Sequence, residues 1–368
     1  MDPRLYEKYS RQILFADIGE AGQERLLASS AVLVGCGALG TAAAGLLVRA
    51  GLGRLRIIDR DFVEPSNLQR QSLFDEADAR DALPKAVAAE HHLRGVNSGV
   101  EVEGMVTDLT PRNAQELLSG FPLILDGTDN FETRFLMNDA AIHLGVPWIY
   151  AAVVSSYGLT LTIRPGETPC LACLLETDGQ AHSAGLEETC DTVGVLNSAV
   201  NLIASLQATE AIKLLLGRTD ALHKRLLACD VWSGRFQSIA VRRNPQCRAC
   251  ARRDFRWLAG EAQPHITLCG RDSVQIHEHS RQLDMRALRD RLAAVAVEVR
   301  SNDFLLRFRL PPPVPSPPRA PSTIEERQAQ HIEGEGYEIT VFADGRAIIK
   351  GTRDPAVARS LYARFIGS

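Results

Sequence analysis

Apolar and polar positions follow two alternating spacings along the first part of the chain. Residues 31–34 are an unbroken apolar run, 35–40 are rich in glycine, 41–50 are rich in alanine and leucine, and 55–59 begin a second apolar run. A short apolar run bounded by turn residues reads as a strand buried on both faces, and a longer alanine- and leucine-rich stretch as a helix. Two such strands with a helix between them predict parallel pairing, because parallel strands need a crossover. The alternation continues with a helix over 84–93, a strand over 100–105, a helix over 111–118 and a strand over 122–125. A helix over 133–144 and a strand over 148–154 follow. Upstream, residues 5–28 read as helical. Residues 157–164 alternate and predict a half-exposed strand, and the polar stretch 176–192 predicts a mobile loop. A long helix is expected over 193–216, stopped by Gly217, and two more strands over 226–243. The expected fold class is α/β: a Rossmann-like, doubly wound, mostly parallel sheet, in a domain spanning 1–260.

Residues 261–368 have a different pattern and predict a small α+β domain. Strand-like 266–277, an amphipathic helix over 284–295 and alternating 297–309 come first. Residues 311–321 then hold seven prolines in eleven positions, a semi-rigid extended segment. A hairpin over 337–350, turning at Asp344-Gly345, and a helix over 355–365 complete it.

Composition removes several classes. With 45% hydrophobic and 23% charged residues, the chain is neither disordered nor a coiled coil. A net charge of −4 and 6% aromatics argue against a nucleic-acid partner held by bulk charge or stacking. Residues 31–48 carry no charge over 18 positions, near the length of a membrane span, but four glycines and an adjoining strand fit a strand, turn and helix better. The charged N-terminus lacks an apolar signal segment, which points to a cytoplasmic protein without membrane attachment.

Four motifs carry chemistry. Gly35-Cys36-Gly37-Ala38-Leu39-Gly40 matches GxGxxG between a predicted strand and helix, where backbone N–H groups can meet a phosphate. Asp59 lies 19 residues beyond Gly40, where an acid can bind ribose hydroxyls. The motif by itself does not separate NAD from ATP. The second, running from Asp59 to Gln71, puts Asn67, Arg70 and Gln71 on one turn past the nucleotide. Arg70, and Lys85 at a helix start, can neutralise phosphate charge; a solvated helix face is the competing reading for Lys85. The third, Asp126-Gly127-Thr128-Asp129-Asn130, ends a buried strand, where a carboxylate can hold magnesium. Helix capping by Asp129 or Asn130 competes with that role. The fourth is Cys170-Leu-Ala-Cys173 with Cys247-Arg-Ala-Cys250, two CxxC pairs with 73 residues between them. Four thiolates can close a structural zinc site; reduced or disulfide-forming pairs are the alternative.

In this order, the motifs make the chain resemble the ThiF/MoeB family, prokaryotic relatives of ubiquitin-activating enzymes, over about residues 5–255. The run 205–213 also resembles that family's long helix. The resemblance implies an adenylyltransferase that uses ATP and magnesium. Its substrate would be the C-terminal Gly-Gly carboxylate of a small ubiquitin-like sulfur carrier, for thiamine or molybdopterin synthesis, with pyrophosphate released. It further implies that Gly35, Gly37 and Gly40 line the phosphates and Asp59 holds the ribose. Asn67, Arg70 and Lys85 would contact the phosphates, and Asp129 would position magnesium. Arg11 matches an arginine that reaches a neighbouring subunit, which implies a homodimer. Cys190 occupies the place of a loop cysteine that some members link covalently to the carrier; a cysteine without catalytic duty is the other reading. Ala38 departs from the family's more usual glycine. No rhodanese-type loop marks the C-terminal domain, so the resemblance leaves its role, and any separate sulfur donor, open. Two other enzyme readings remain: an adenylating dehydratase acting on tRNA, and an NAD-dependent Rossmann oxidoreductase. The latter leaves Arg70, Asp129 and the four cysteines without a task.

Overall fold

The computed structural model divides the chain into two units, Met1–Gln263 and Pro264–Ser368. It describes residues 1–177, 180–181, 193–261, 268–269, 273–276, 283–293, 295–302, 304–311, 336–342, 345–352 and 354–367.

The first unit begins with two helices, α1 (Pro3–Ile13) and α2 (Gly19–Leu27), within the stretch expected to be helical. Asp2 caps α1 by accepting from Arg4 N, and Pro3 sits where a missing N–H costs nothing. Then β1 (Ser30–Val34), α3 (Ala38–Ala50), β2 (Arg54–Asp59), α4 (Glu76–Arg80), α5 (Lys85–Val96) and β3 (Glu101–Val106) follow. After these come α6 (Ala114–Leu118), β4 (Ile124–Asp126), α7 (Phe131–Leu144), β5 (Trp148–Val154) and β6 (Tyr157–Ile163). The unit continues with α8 (Leu171–Leu175), the short pair β7 (Glu176–Thr177) and β8 (Gln180–Ala181), α9 (Asn197–Leu215), β9 (Leu226–Asp230) and β10 (Arg235–Ile239).

Eight of these strands form one sheet in the order β10-β9-β6-β5-β4-β1-β2-β3. Strands β3, β2, β1, β4 and β5 run parallel, and β6, β9 and β10 add antiparallel pairs. Successive residues of β1 face opposite layers. Leu33 packs with Leu47 and Val48 of α3, Ala89 and Leu93 of α5, and Ala208 and Ala211 of α9. Val32 and Val34 pack with Leu117 of α6, Phe135 of α7 and Leu171 of α8. Both faces are covered, so β1 has no polar side and reads as one apolar run. The sheet is therefore mixed and mostly parallel, a Rossmann-like arrangement.

Helix α9 starts later than its apolar pattern. Gly194 has a φ of 79°, and Ser155 N donates to its carbonyl while Leu196 N donates to Ser155 O. Those bonds hold 194–196 against the β5–β6 turn, and the helix begins at Asn197. Of the polar stretch 176–192, residues 176–177 and 180–181, which form β7 and β8, are described; Cys190 lies outside the described residues.

In the second unit, six antiparallel strands run in the order β11 (Leu268–Cys269), β12 (Ser273–Ile276), β16 (Ala347–Lys350), β15 (Glu338–Phe342), β14 (Leu305–Arg309) and β13 (Glu298–Ser301). Helices α10 (Met285–Leu292) and α11 (Pro355–Phe365) bury Leu288, Leu292, Ala358 and Tyr362 against it. The Tyr362 hydroxyl donates to Gly345 O at 2.7 Å, beside the β15–β16 connection. Most of the proline-rich segment, and Asp344, lie outside the described residues. Among the described residues no helix is long and apolar enough to cross a membrane.

One buried ion pair ties three elements of the first unit. Asp126, fully buried at the end of β4, accepts from Arg134 Nε at 3.0 Å, and Arg134 Nη2 donates to Thr128 O and Ala151 O. Arg134→Ala leaves Asp126 charged in a site closed to water. The expected cost is about 3–5 kcal/mol, read by urea denaturation; a loss under about 1 kcal/mol, the scale of an exposed pair, would show that the pair does not hold these elements.

Candidate functional site

The strand order places a crossing point between β1 and β4: from β1 the chain goes to β2 on one side, and β4 lies on the other. Ligands of open α/β sheets bind at such a point, beyond the carboxyl ends of the strands. Register aligns the motifs there. Val34 pairs with Ile58 of β2 and with Asp126 of β4, so Gly35, Asp59 and Gly127 each lie at or one residue past the same level.

Glycine lets these turns close. A Cβ on Gly40 would fall 2.1 Å from Gly35 O, one on Gly35 would fall 2.6 Å from Gly127 C, and one on Gly127 would fall 2.3 Å from Gly35 O. Gly35 also has a φ of 88°, disfavoured for any other residue. Gly37 is different: its Cβ would meet nothing nearer than 3.9 Å. The fold does not need a glycine there, and the bare backbone leaves the start of α3 open to close approach.

Asp59 is buried at the end of β2. Its Oδ2 accepts from Cys36 N at 2.6 Å and its Oδ1 from Asp61 N at 2.7 Å, so the carboxylate also shapes the glycine turn. Burial pushes its carboxyl up to about 6, against the pull of Lys85. Lys85 is 8% exposed, which overturns the solvated-face reading, and its Nζ bonds Asp61 Oδ2 at 3.2 Å. Burial pulls the ammonium down, but Asp61, Asp59 and Asp129 together hold it above the usual lysine range. The fields of all three acids therefore meet at one buried cation.

Around them, Asn67 Oδ1 accepts from Glu64 N at 3.0 Å in a capping box, leaving Nδ2 to donate elsewhere. Arg70 is half-buried and donates to Ser66 O at 2.8 Å. The capping question at the third motif is decided by geometry: Asn130 Oδ1 accepts from Thr133 N at 2.9 Å and caps α7. Asp129 has no capping bond; it is exposed, with Asn130 Nδ2 at 3.4 Å. An exposed carboxylate suits a hard cation such as magnesium. Arg11 is exposed on the last turn of α1 and forms no hydrogen bond or ion pair among the described residues.

The four cysteines of the CxxC pairs converge. Cys170 and Cys173 Sγ are 3.8 Å apart, Cys170 and Cys247 3.6 Å, and Cys173 and Cys250 3.4 Å. No disulfide joins them. Thiolates about 2.3 Å from a tetrahedral zinc stand roughly 3.8 Å from one another, so the group fits that ion with no position left for substrate. Asn244 N points at Cys173 Sγ from 3.4 Å, a bond that favours thiolate.

Several residues of this region carried no motif. Arg248, between Cys247 and Cys250, is buried and forks onto two acids. It donates to both oxygens of Asp139 at 3.0 and 3.1 Å and to both of Glu176 at 2.9 and 3.2 Å. Gln207 of α9 donates to Asp126 O and Ile149 O. The available signal was a charged or amide residue within an apolar stretch, as at Arg134, Asp139 and Gln207.

Fold and crevice define the class: a Rossmann-like α/β protein with a glycine turn and gathered acids at its switch point. The ThiF family model matches residues 9–249, and the chain belongs to the ThiF family. A sulfur carrier protein ThiS adenylyltransferase of Bacillus subtilis (strain 168) is 42% identical over 364 residues, covering 98% of this chain and 99% of that protein. A sulfur carrier protein adenylyltransferase of Thermus thermophilus is 38% identical over 249 residues, covering 66% of this chain and 90% of that protein. A solved structure of E. coli MccB with ATP has a TM-score of 0.58 at 23% identity, over 66% of this chain and 74% of that one; at this identity the likeness is one of fold. The chain is an adenylyltransferase.

Two outcomes test the site. Gly40→Ala is expected to lower stability by about 1–3 kcal/mol or more through overpacking, while Gly37→Ala leaves urea stability within about 0.5 kcal/mol and weakens nucleotide binding. Equal destabilisation by both would refute the distinction. Purified protein should carry close to one zinc per chain by elemental analysis, and Cys247→Ser should release it; full zinc retention by that variant would exclude the four-thiol site.

Proposed function

We propose that this chain transfers AMP from ATP to the C-terminal Gly-Gly carboxylate of a small ubiquitin-like sulfur carrier and releases pyrophosphate. The observation that carries it is the convergence of Gly37, Asp59, Lys85 and the uncapped Asp129 at the switch point of a ThiF-family sheet. The carrier is proposed to be of the ThiS kind, for thiamine rather than molybdopterin synthesis. Support comes from the Bacillus subtilis relative, whose likeness runs through both units.

In this reading a carboxylate oxygen of the carrier attacks the α-phosphorus. The bond to the bridging oxygen breaks, and pyrophosphate leaves with its electron pair. Asp59 orients the ribose with the lone pairs that Cys36 N and Asp61 N leave open. The N–H groups opening α3 meet the phosphates at Gly37. Arg70 and Lys85 balance charge that moves toward the leaving group, and Lys85 is already held charged by its acids. Magnesium, held by Asp129, would supply further neutralisation of phosphate charge. Cys170, Cys173, Cys247 and Cys250 would hold a structural zinc in this scheme, while Arg248 ties their segment to α7 through Asp139.

The carrier tail is proposed to enter along an open cleft of about 430 Å³ lined by Ser155, Ser156, Val193, Val195, Leu196 and Trp232. Val195 belongs to the same apolar cluster as Leu39 and Ala42 of α3, so the cleft leads toward the glycine turn. Arg11 is proposed to complete the site of a second copy in a homodimer, and Cys190 to be the cysteine that can link covalently to the carrier. Residues 1–260 would form the adenylating domain and 261–368 an accessory α+β domain, in a cytoplasmic enzyme.

ATP–pyrophosphate exchange measured with carriers of the ThiS and MoaD kinds tests this. Exchange is expected with a ThiS-type carrier and lost when its Gly-Gly is removed. Arg70→Ala and Asp129→Ala should each reduce it about 100-fold or more with an unchanged unfolding midpoint. No exchange with any carrier despite ATP binding would overturn the reading in favour of another acceptor.

A further inference from the structure

Gln71 follows Arg70 on the turn after Asn67, and its backbone N–H donates to Asn67 O at 2.9 Å. Its side chain is 4% exposed. Among the described residues nothing uses the buried carboxamide oxygen: Oε1 has no hydrogen-bond partner there. The other end, Nε2, lies 4.0 Å from the point a Cβ on Gly37 would occupy, the nearest side-chain atom to that open position. A buried amide that leaves its acceptor unmatched loses water without gaining a partner, and an apolar side chain of the same shape would avoid that loss. The position therefore has a polar group that the folded chain does not need, pointed at the loop glycine that the fold does not need either.

We infer that Gln71 is a substrate-contacting residue: its Nε2 donates to an anionic phosphate oxygen of the nucleotide where that oxygen approaches Gly37. The inference rests on the nucleotide reading of this site. A neutral donor is suited to the place, because Arg70 and Lys85 already supply the cations. A third cation would hold pyrophosphate product as tightly as substrate, whereas an amide gives direction without adding charge. The same bond would anchor the amide plane, whose orientation the chain itself does not fix.

The test compares wild type, Gln71→Met and Gln71→Glu for binding of ATP and of adenosine by calorimetry, with urea stability measured on each. Methionine keeps the length and removes the donor, so ATP affinity should fall about 10-fold or more. Glutamate puts a carboxylate against the phosphate and should lower it further, about 100-fold or more. Adenosine, which lacks the phosphate, should bind each variant within about 2-fold of wild type, and Gln71→Met should be as stable as wild type or more so, since the unmatched acceptor is gone. ATP affinity unchanged in Gln71→Met, or equal losses for ATP and adenosine, would overturn the assignment. If wild type itself binds no ATP, the nucleotide reading falls and this inference with it; binding by wild type with an unaffected variant removes the inference alone.

Discussion

Steric closeness at the switch point is the constraint on which the rest of the first unit depends. The turn after β1 and the end of β4 touch through backbone atoms, and a side chain on Gly35, Gly40 or Gly127 would overlap them. Because they touch, Gly35 N reaches Ile58 O and Gly127 N reaches Val34 O, each at 2.8 Å. The start of α3 is thereby aimed into the crevice, with the positive end of its dipole facing the opening. This closure also brings the ends of the strands that carry the other motifs to one level.

Charge is then distributed in two layers. The inner layer is satisfied within the fold: Arg134 neutralises Asp126, and Arg248 neutralises Asp139 and Glu176, in sites from which water is excluded. Such pairs add less stability than their geometry suggests, but breaking one is costly, so they favour a single arrangement. The outer layer is open. Asp59 and Lys85 are buried yet border the crevice, while Asp129 faces solvent. A ligand bound in the crevice would meet groups whose own partners are already fixed, which is what preorganised electrostatics requires.

Helix α7 connects the two regions that the motifs mark. Its N-terminus is capped by Asn130 beside Asp129, its first turns hold Arg134, and Asp139 farther along receives Arg248 from the cysteine segment. The four-thiol cluster is thus linked to the crevice by one helix and two buried arginines. A closed metal site distant in sequence from the glycine turn can in this way stiffen the loop that presents Asp129.

Much of this was legible along the chain. Buried strands read as apolar runs because both faces of the sheet are covered, and GxGxxG with Asp59 marked the crevice because only glycine permits that approach. The CxxC pairs announced four thiols. Other features depended on contacts between distant segments. The sequence allowed either Asp129 or Asn130 to cap α7, and only the placement of Thr133 N decided it. Lys85 resembled a solvated face until Asp61 was folded over it. Arg134, Asp139 and Gln207 gave no periodic signal, because a polar residue inside an apolar stretch takes its meaning from its partner. Local propensity and pattern determined the elements and their order; the matching of buried charges and amides, which acts only at close range in a low-dielectric interior, was decided by the tertiary structure.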